Sequence, residues 1–100
     1  MPVGTYNTAS HIRQTVTTAG TAVQLTATST PCNVVEIQAF ETNTGRICVG
    51  TSDVDETIAT RKGIIINAGD TYDYYINNAD KIYLDSSVNG EGVACTVKSR

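Results

Sequence analysis

The chain has one histidine, His11, three cysteines, Cys32, Cys48 and Cys95, and one dense acidic run, Thr51-Ser52-Asp53-Val54-Asp55-Glu56. These are the side chains whose types and spacing could do chemistry. A histidine works as a base only when the fold holds a nucleophile within hydrogen-bond reach. No motif sets a cysteine or serine beside His11, so it reads as a surface or edge histidine. The run Asp53, Asp55, Glu56 offers hard oxygen ligands of the kind Ca²⁺ takes, but it lacks the ligand count and the glycine of an EF-hand loop. Its neighbours Arg61 and Lys62 can neutralise it. It therefore reads as a solvated loop, with a metal site as the alternative. A cupin-type metal centre needs several histidines, and there is one. The cysteines form no CxxC pair and cannot all pair within one chain, so they read as small buried hydrophobes of a reducing compartment, with metal ligation or a redox role as the alternative. Gly90-Glu91-Gly92 lacks the lysine and helix of a phosphate loop and reads as a turn. No catalytic residue, cofactor-binding residue or metal ligand is assigned, and no cofactor is expected.

The elements that must position these residues are strands. Sixteen threonines, 10 valines and 9 isoleucines make 35 β-branched residues in 100, against 2 leucines and 1 methionine. Such side chains lose rotamer freedom in helices and suit a pleated sheet. No apolar pattern recurs at helical spacing over three turns, so essentially no helix is expected. The alternation predicts strands near 11–18, 22–27, 33–41, 46–50, 64–66, 71–77, 81–85 and 93–98. In the strongest, Val35, Ile37 and Ala39 face the core and Val34, Glu36, Gln38 and Phe40 face out. Thr42-Asn43-Thr44-Gly45 reads as a tight hairpin loop with Asn and Gly at positive φ, and Cys48 as outward-facing. The expected fold is a single all-β antiparallel sandwich, jelly-roll-like, over residues 13–100, preceded by an extended N-terminal arm over residues 1–12.

On this alternation Tyr75 and Tyr83 both point away from the core from strands joined by a short turn, so they can sit side by side. Exposed tyrosines anchor interfaces because they bury area at low entropic cost. The other readings are cross-strand packing on a solvated sheet and a sugar-stacking platform. Three lysines and two prolines leave the sheet edges weakly guarded, which suggests cover in an assembly.

Seven basic and 10 acidic residues give a net charge of −3. The basic residues are scattered and form no stripe, which argues against nucleic acid and against a polybasic membrane patch. No apolar run is long enough to span a bilayer. Met1 to Tyr6 has neither a positive start nor an apolar stretch, so no signal peptide is expected and the chain is expected to fold in a cytoplasm.

Several segments then form a pattern: Thr18-Ala19-Gly20-Thr21-Ala22-Val23-Gln24-Leu25, Thr30-Pro31-Cys32-Asn33-Val34-Val35-Glu36-Ile37-Gln38-Ala39, Asn43-Thr44-Gly45-Arg46-Ile47-Cys48-Val49-Gly50, Asn67-Ala68-Gly69-Asp70, Ala79-Asp80-Lys81-Ile82-Tyr83-Leu84-Asp85 and Asn89-Gly90-Glu91-Gly92-Val93. In this order they resemble the small β-sandwich virion proteins of tailed bacteriophages, over about residues 18 to 97. The likeness is one of strands and turns, not of an active site. The chain departs from it at Cys48, where an aromatic is usual, in the longer and more charged loop from Asp53 to Lys62, and at Ala68-Gly69-Asp70, which replaces a proline-containing turn. The resemblance implies a non-enzymatic virion structural protein assembled in the host cytoplasm. First among such roles is a head decoration or cement protein, commonly a homotrimer, that binds the major capsid protein and bridges capsomers. It makes the N-terminal arm a candidate reach to a neighbour, with Tyr6 and Ile12 as anchors beside Tyr75 and Tyr83 as contact residues. The alternative is a tail, baseplate or fibre module that binds a host surface glycan. A small hydrolase or metal-binding jelly roll is the third reading, and the single His11 argues against it.

Overall fold

In the computed structural model, which describes residues 7–100, the chain runs through eight strands. They are β1 (Thr8–Val16), β2 (Val23–Gln24), β3 (Val34–Ala39), β4 (Ile47–Gly50), β5 (Ile64–Ile66), β6 (Thr71–Tyr74), β7 (Tyr83–Ser86) and β8 (Glu91–Ser99). Two 3-10 turns, Ile58–Thr60 and Ala79–Lys81, are the only helical pieces among the described residues. No helix among them is long and apolar enough to cross a membrane. The strands form two antiparallel four-stranded sheets, β1-β8-β3-β6 and β2-β7-β4-β5. The all-β expectation holds.

The core lies between the sheets. Val35, Ile37 and Ala39 of β3 and Val93, Cys95 and Val97 of β8 meet Ile47 and Val49 of β4, Leu84 of β7 and Ile66 of β5. The alternation read from the sequence is followed: Val35, Ile37 and Ala39 are all fully buried. Removing this β-branched set from water is the main favourable term for the fold.

Connectivity differs from the expectation. Six of the seven links pass from one sheet to the other, and only β4 and β5 are neighbours in both sequence and sheet. Thr42-Asn43-Thr44-Gly45 is therefore a crossing and not a hairpin, and among the described residues the positive-φ ones are Gly20, Gly63, Gly69 and Gly90. Asn43 makes the crossing work. Its buried amide donates to the Gly92 carbonyl at 2.9 Å and accepts from the Gly92 N–H at 3.3 Å. The Glu91 carboxylate accepts from the Thr44 and Gly45 N–H groups at 2.6 and 2.8 Å.

The expected boundary between arm and domain at residue 12 falls inside β1. That strand starts at Thr8 and pairs residue by residue with β8, from Thr8↔Ser99 to Val16↔Glu91. Its first half shows no apolar alternation because an edge strand is held by its backbone ladder, and of the core-side row Thr8, Ser10, Ile12, Gln14 and Val16 only the last three are covered. Residues 1–6, including the candidate anchor Tyr6, lie outside the described residues.

Candidate functional site

The richest set of polar side chains stands on the outer face of the β1-β8-β3-β6 sheet. Register fixes it as rows across four strands. His11, Thr96, Glu36 and Asp73 form one row; Arg13, Ala94, Gln38 and Thr71 form the next. His11 Nδ1 lies 3.3 Å from Thr96 Oγ1. Lys98 Nζ lies 3.4 Å from Glu36 Oε1. The Arg13 guanidinium sits 4.1 Å from the centre of the Phe40 ring, a cation–π contact. A shallow groove runs between His11, Arg13, Glu36 and Gln38.

One juxtaposition is unfavourable. Glu36 and Asp73 are direct partners across β3 and β6. The Ala39 N–H donates to the Asp70 carbonyl at 3.0 Å, which makes that pair a hydrogen-bonded one. By alternation Glu36–Asp73 is a non-hydrogen-bonded pair, where side chains stand closest. Two like charges there destabilise the edge.

His11 and Thr96 supply no more than the first half of a nucleophile–base pair. Backbone N–H groups of β8 and β3 point along the ladder to neighbouring strands, so none is aimed outward at the position an oxyanion would take. What the face presents is hydrogen-bonding groups and charge.

The acidic loop is spent on its own architecture. Asp55 accepts from the Thr60 hydroxyl at 2.6 Å and the Thr57 N–H at 2.9 Å, and these bonds hold its carboxyl below the usual range. Glu56 lies 3.0 Å from Arg46 Nε. Asp53 meets Thr51 Oγ1 at 3.3 Å. Among the described residues no group of three or more His, Cys, Asp or Glu side chains is placed to hold a metal ion.

The loop covers Cys48, which faces out as the alternation predicts, yet is fully buried. Its thiol donates to the Lys62 carbonyl at 3.4 Å and lies 3.6 Å from that of Asp55, and burial raises its pKa. The loop is closed by the Asp55↔Lys62 bridge and roofed by Gly63 at φ +128°. All three cysteines are free and buried. Burial pushes the Cys95 thiol up to about 12, so it stays protonated and unreactive near neutrality.

The candidate contact residues are scattered. Ile12 is half-buried on β1 and turns toward the core side. Tyr75 is 71% exposed just past the end of β6. Tyr83 is half-buried on β7, beside Gln24, Thr51 and Lys81. The short turn between them crosses from one sheet to the other, so the two tyrosines do not stand side by side as expected. The sequence does not announce Arg13 on Phe40 or Glu36 against Asp73. Both depend on strand neighbours distant in sequence, and alternation alone carries no signal for them.

Comparison with protein-family models, with curated proteins and with solved structures returns no match to this chain.

Proposed function

We propose that this chain is a structural protein of a tailed-bacteriophage virion, a head decoration protein that binds the assembled shell and has no catalytic step. The observation that carries the reading is where the resembling segments fall. Thr18 to Leu25 contains β2, Thr30 to Ala39 ends in β3, Asn43 to Gly50 ends in β4, Ala79 to Asp85 leads into β7 and Asn89 to Val93 opens β8. Asn67 to Asp70 is the link before β6. A likeness made of strands and turns gains support when its segments coincide with strands and turns.

The strand order supports a jelly roll. The pairs β1·β8, β2·β7, β3·β6 and β4·β5 are those of one long antiparallel ribbon, folded so that β8 meets β3 and β7 meets β4. Viral capsid domains, lectins and cupins share that architecture, so the fold alone does not choose among them. In the proposed role, surface buried on two adjacent capsomers of the major capsid protein stabilises the assembled state by mass action. Bridging makes the second contact intramolecular and raises the avidity.

The test is to add purified protein to matching heads that lack it, and to follow co-sedimentation and head melting. Saturable binding with a raised melting temperature is expected. Failure to bind heads overturns the reading, and binding to tails or to host surface glycans would replace it with that of a tail or fibre module.

A further inference from the structure

Among the described residues β1 and β6 have no partner strand on one side, and these two edges of the β1-β8-β3-β6 sheet complement each other. We propose that this protein associates head to tail with a second copy of itself, β1 of one copy pairing antiparallel with β6 of the next. The inference goes beyond the virion reading and stands without it, because it rests on the two edges alone.

Four observations carry it. Both edges are lightly guarded: neither β1 nor β6 contains lysine or proline, each carries a single formal charge, and β1 pairs with β8 through nine consecutive residues without a bulge. Native sheets normally blunt such edges. Second, the free backbone groups can be located. The Phe40 N–H donates to the Gly92 carbonyl at 3.0 Å, so by alternation β8 turns residues 93, 95 and 97 toward β1, and Ala9, His11, Arg13 and Thr15 of β1 face outward along the edge. The Thr15 N–H accordingly donates to its neighbour's side chain, Gln14 Oε1, at 3.0 Å. The same counting on β6 leaves Thr71 and Asp73 free.

Third, the edges differ in charge. The outer side of β1 carries His11 and Arg13 with no acid, and that of β6 carries Asp73 with no base. A register that sets Arg13 opposite Asp73 of the next copy gives Asp73 a counter-ion in place of its repulsive partner Glu36. Arg13 rests on Phe40, on the far side of β8 from this edge, so the junction exchanges that cation–π contact for a charge-assisted bond to the carboxylate. Fourth, each edge has half-covered apolar side chains on its core side, Ile12 between Ser10 and Gln14 on β1 and Tyr72, Tyr74 and Ile76 on and after β6. In the same register Ile12 meets Tyr74.

Topology permits the junction. Directions alternate along β1-β8-β3-β6, so an even number of strands brings β6 antiparallel to the next β1 when copies repeat head to tail. Such a contact is heterologous and joins copies in rings where the rotation closes and in open filaments where it does not.

The test is light scattering and sedimentation over a dilution series at low salt. Wild-type protein is expected to associate, and added salt to weaken it. Arg13→Asp and Asp73→Arg should each weaken association about tenfold or more, and the double exchange should restore it. His11→Pro, which removes an outward N–H and leaves the β1·β8 bonds intact, should also abolish association while thermal melting shows a folded monomer. In a covalent trap, a chain bearing Arg13→Cys should form a disulfide with a chain bearing Asp73→Cys and not with itself. A wild-type monomer at all concentrations overturns the proposal. So does association indifferent to these variants, or trapping of Arg13→Cys with itself, which marks a two-fold β1·β1 pair. Head binding is measured separately, so failure here and failure of the virion reading are distinct results.

Discussion

The two sheets bury similar residues and present different outsides. In β1-β8-β3-β6 the ladder between β1 and β8 runs nine residues and that between β3 and β8 six, and His11, Arg13, Gln38, Asp73 and Ala94 are exposed on the outer face. In β2-β7-β4-β5 the ladders run two to four residues, and the outward Cys48 lies under the chain that joins β4 to β5. A long ladder satisfies its backbone internally and can leave its outer face free. A sheet of short strands holds fewer such bonds, and a returning loop supplies the rest. Among the described residues one face is thus exposed and the other is largely covered by the protein itself.

The sharpest way to break this contrast is to attack the long ladder. Gly92 lies opposite Thr15, and a Cβ there would meet the Gln14 carbonyl oxygen and, at 2.8 Å, the Thr15 Cα. Both are backbone atoms and cannot swing aside. Gly92→Ala should destabilise the fold by more than about 4 kcal/mol in chemical denaturation, since it separates β1 from β8. A loss below about 1 kcal/mol would show that the first sheet does not depend on that ladder.

The next largest effect belongs to the covered sheet. Asp85 is 2% exposed, and its carboxylate accepts from the N–H groups of Gly20 at 3.1 Å, Ser86 at 2.8 Å and Glu56 at 3.0 Å. It ties the link between β1 and β2, its own strand and the covering loop to one point. Asp85→Ala removes the acceptor of the Ser86 and Glu56 N–H groups and leaves Gly20 only the Ser86 carbonyl at 3.3 Å, and should cost about 2–4 kcal/mol. The loop should loosen with it, so thiol labelling of Cys48 should accelerate in native buffer. Unchanged labelling would mean that the loop is held from elsewhere.

The same contrast separates what could be read in the sequence from what could not. The inward faces of β3, β4 and β8 follow from alternation, because Val35, Ile37 and Ala39 or Val93, Cys95 and Val97 recur at the two-residue period of a strand. The first half of β1 shows no such period, since an exposed edge needs only its backbone, and a strand without that period looks like an arm. Alternation places Cys48 outward correctly but says nothing of a loop that returns over it. The outer-face rows depend on which strands are neighbours: His11 reaches Thr96 across 85 positions. Tyr75 and Tyr83, close in sequence, part because the chain changes sheets between them.

Acid should act through the crossing between β3 and β4. Burial pushes the Glu91 carboxyl up, but hydrogen bonds from the Thr44 N–H, the Gly45 N–H and the Thr44 hydroxyl outweigh it, and its pKa is held below the ordinary 4.5. A carboxylate with a lowered folded pKa contributes stability that is full above its unfolded value and lost as pH falls through the folded one. Stability should therefore fall on acidification below about 4.5. Glu91→Gln should be less stable at neutral pH and should show a shallower acid loss. An identical acid slope in the variant would place the titration on other groups.

The smallest expected effect on folding is at Asp73. Unlike Asp85 it is exposed, and its partner across the ladder is another carboxylate, Glu36. Asp73→Asn removes a like-charge contact and should change stability by less than about 0.5 kcal/mol, in the stabilising direction. The same substitution removes the counter-charge offered to Arg13 of a neighbouring copy, so it should weaken association while the monomer holds firm. Asp85→Ala should do the reverse and weaken the monomer first. Denaturation and sedimentation on this pair of variants assign one carboxylate to the fold and the other to its outer edge. Destabilisation by Asp73→Asn comparable to that of Asp85→Ala would mean that the open face is as structural as the covered one.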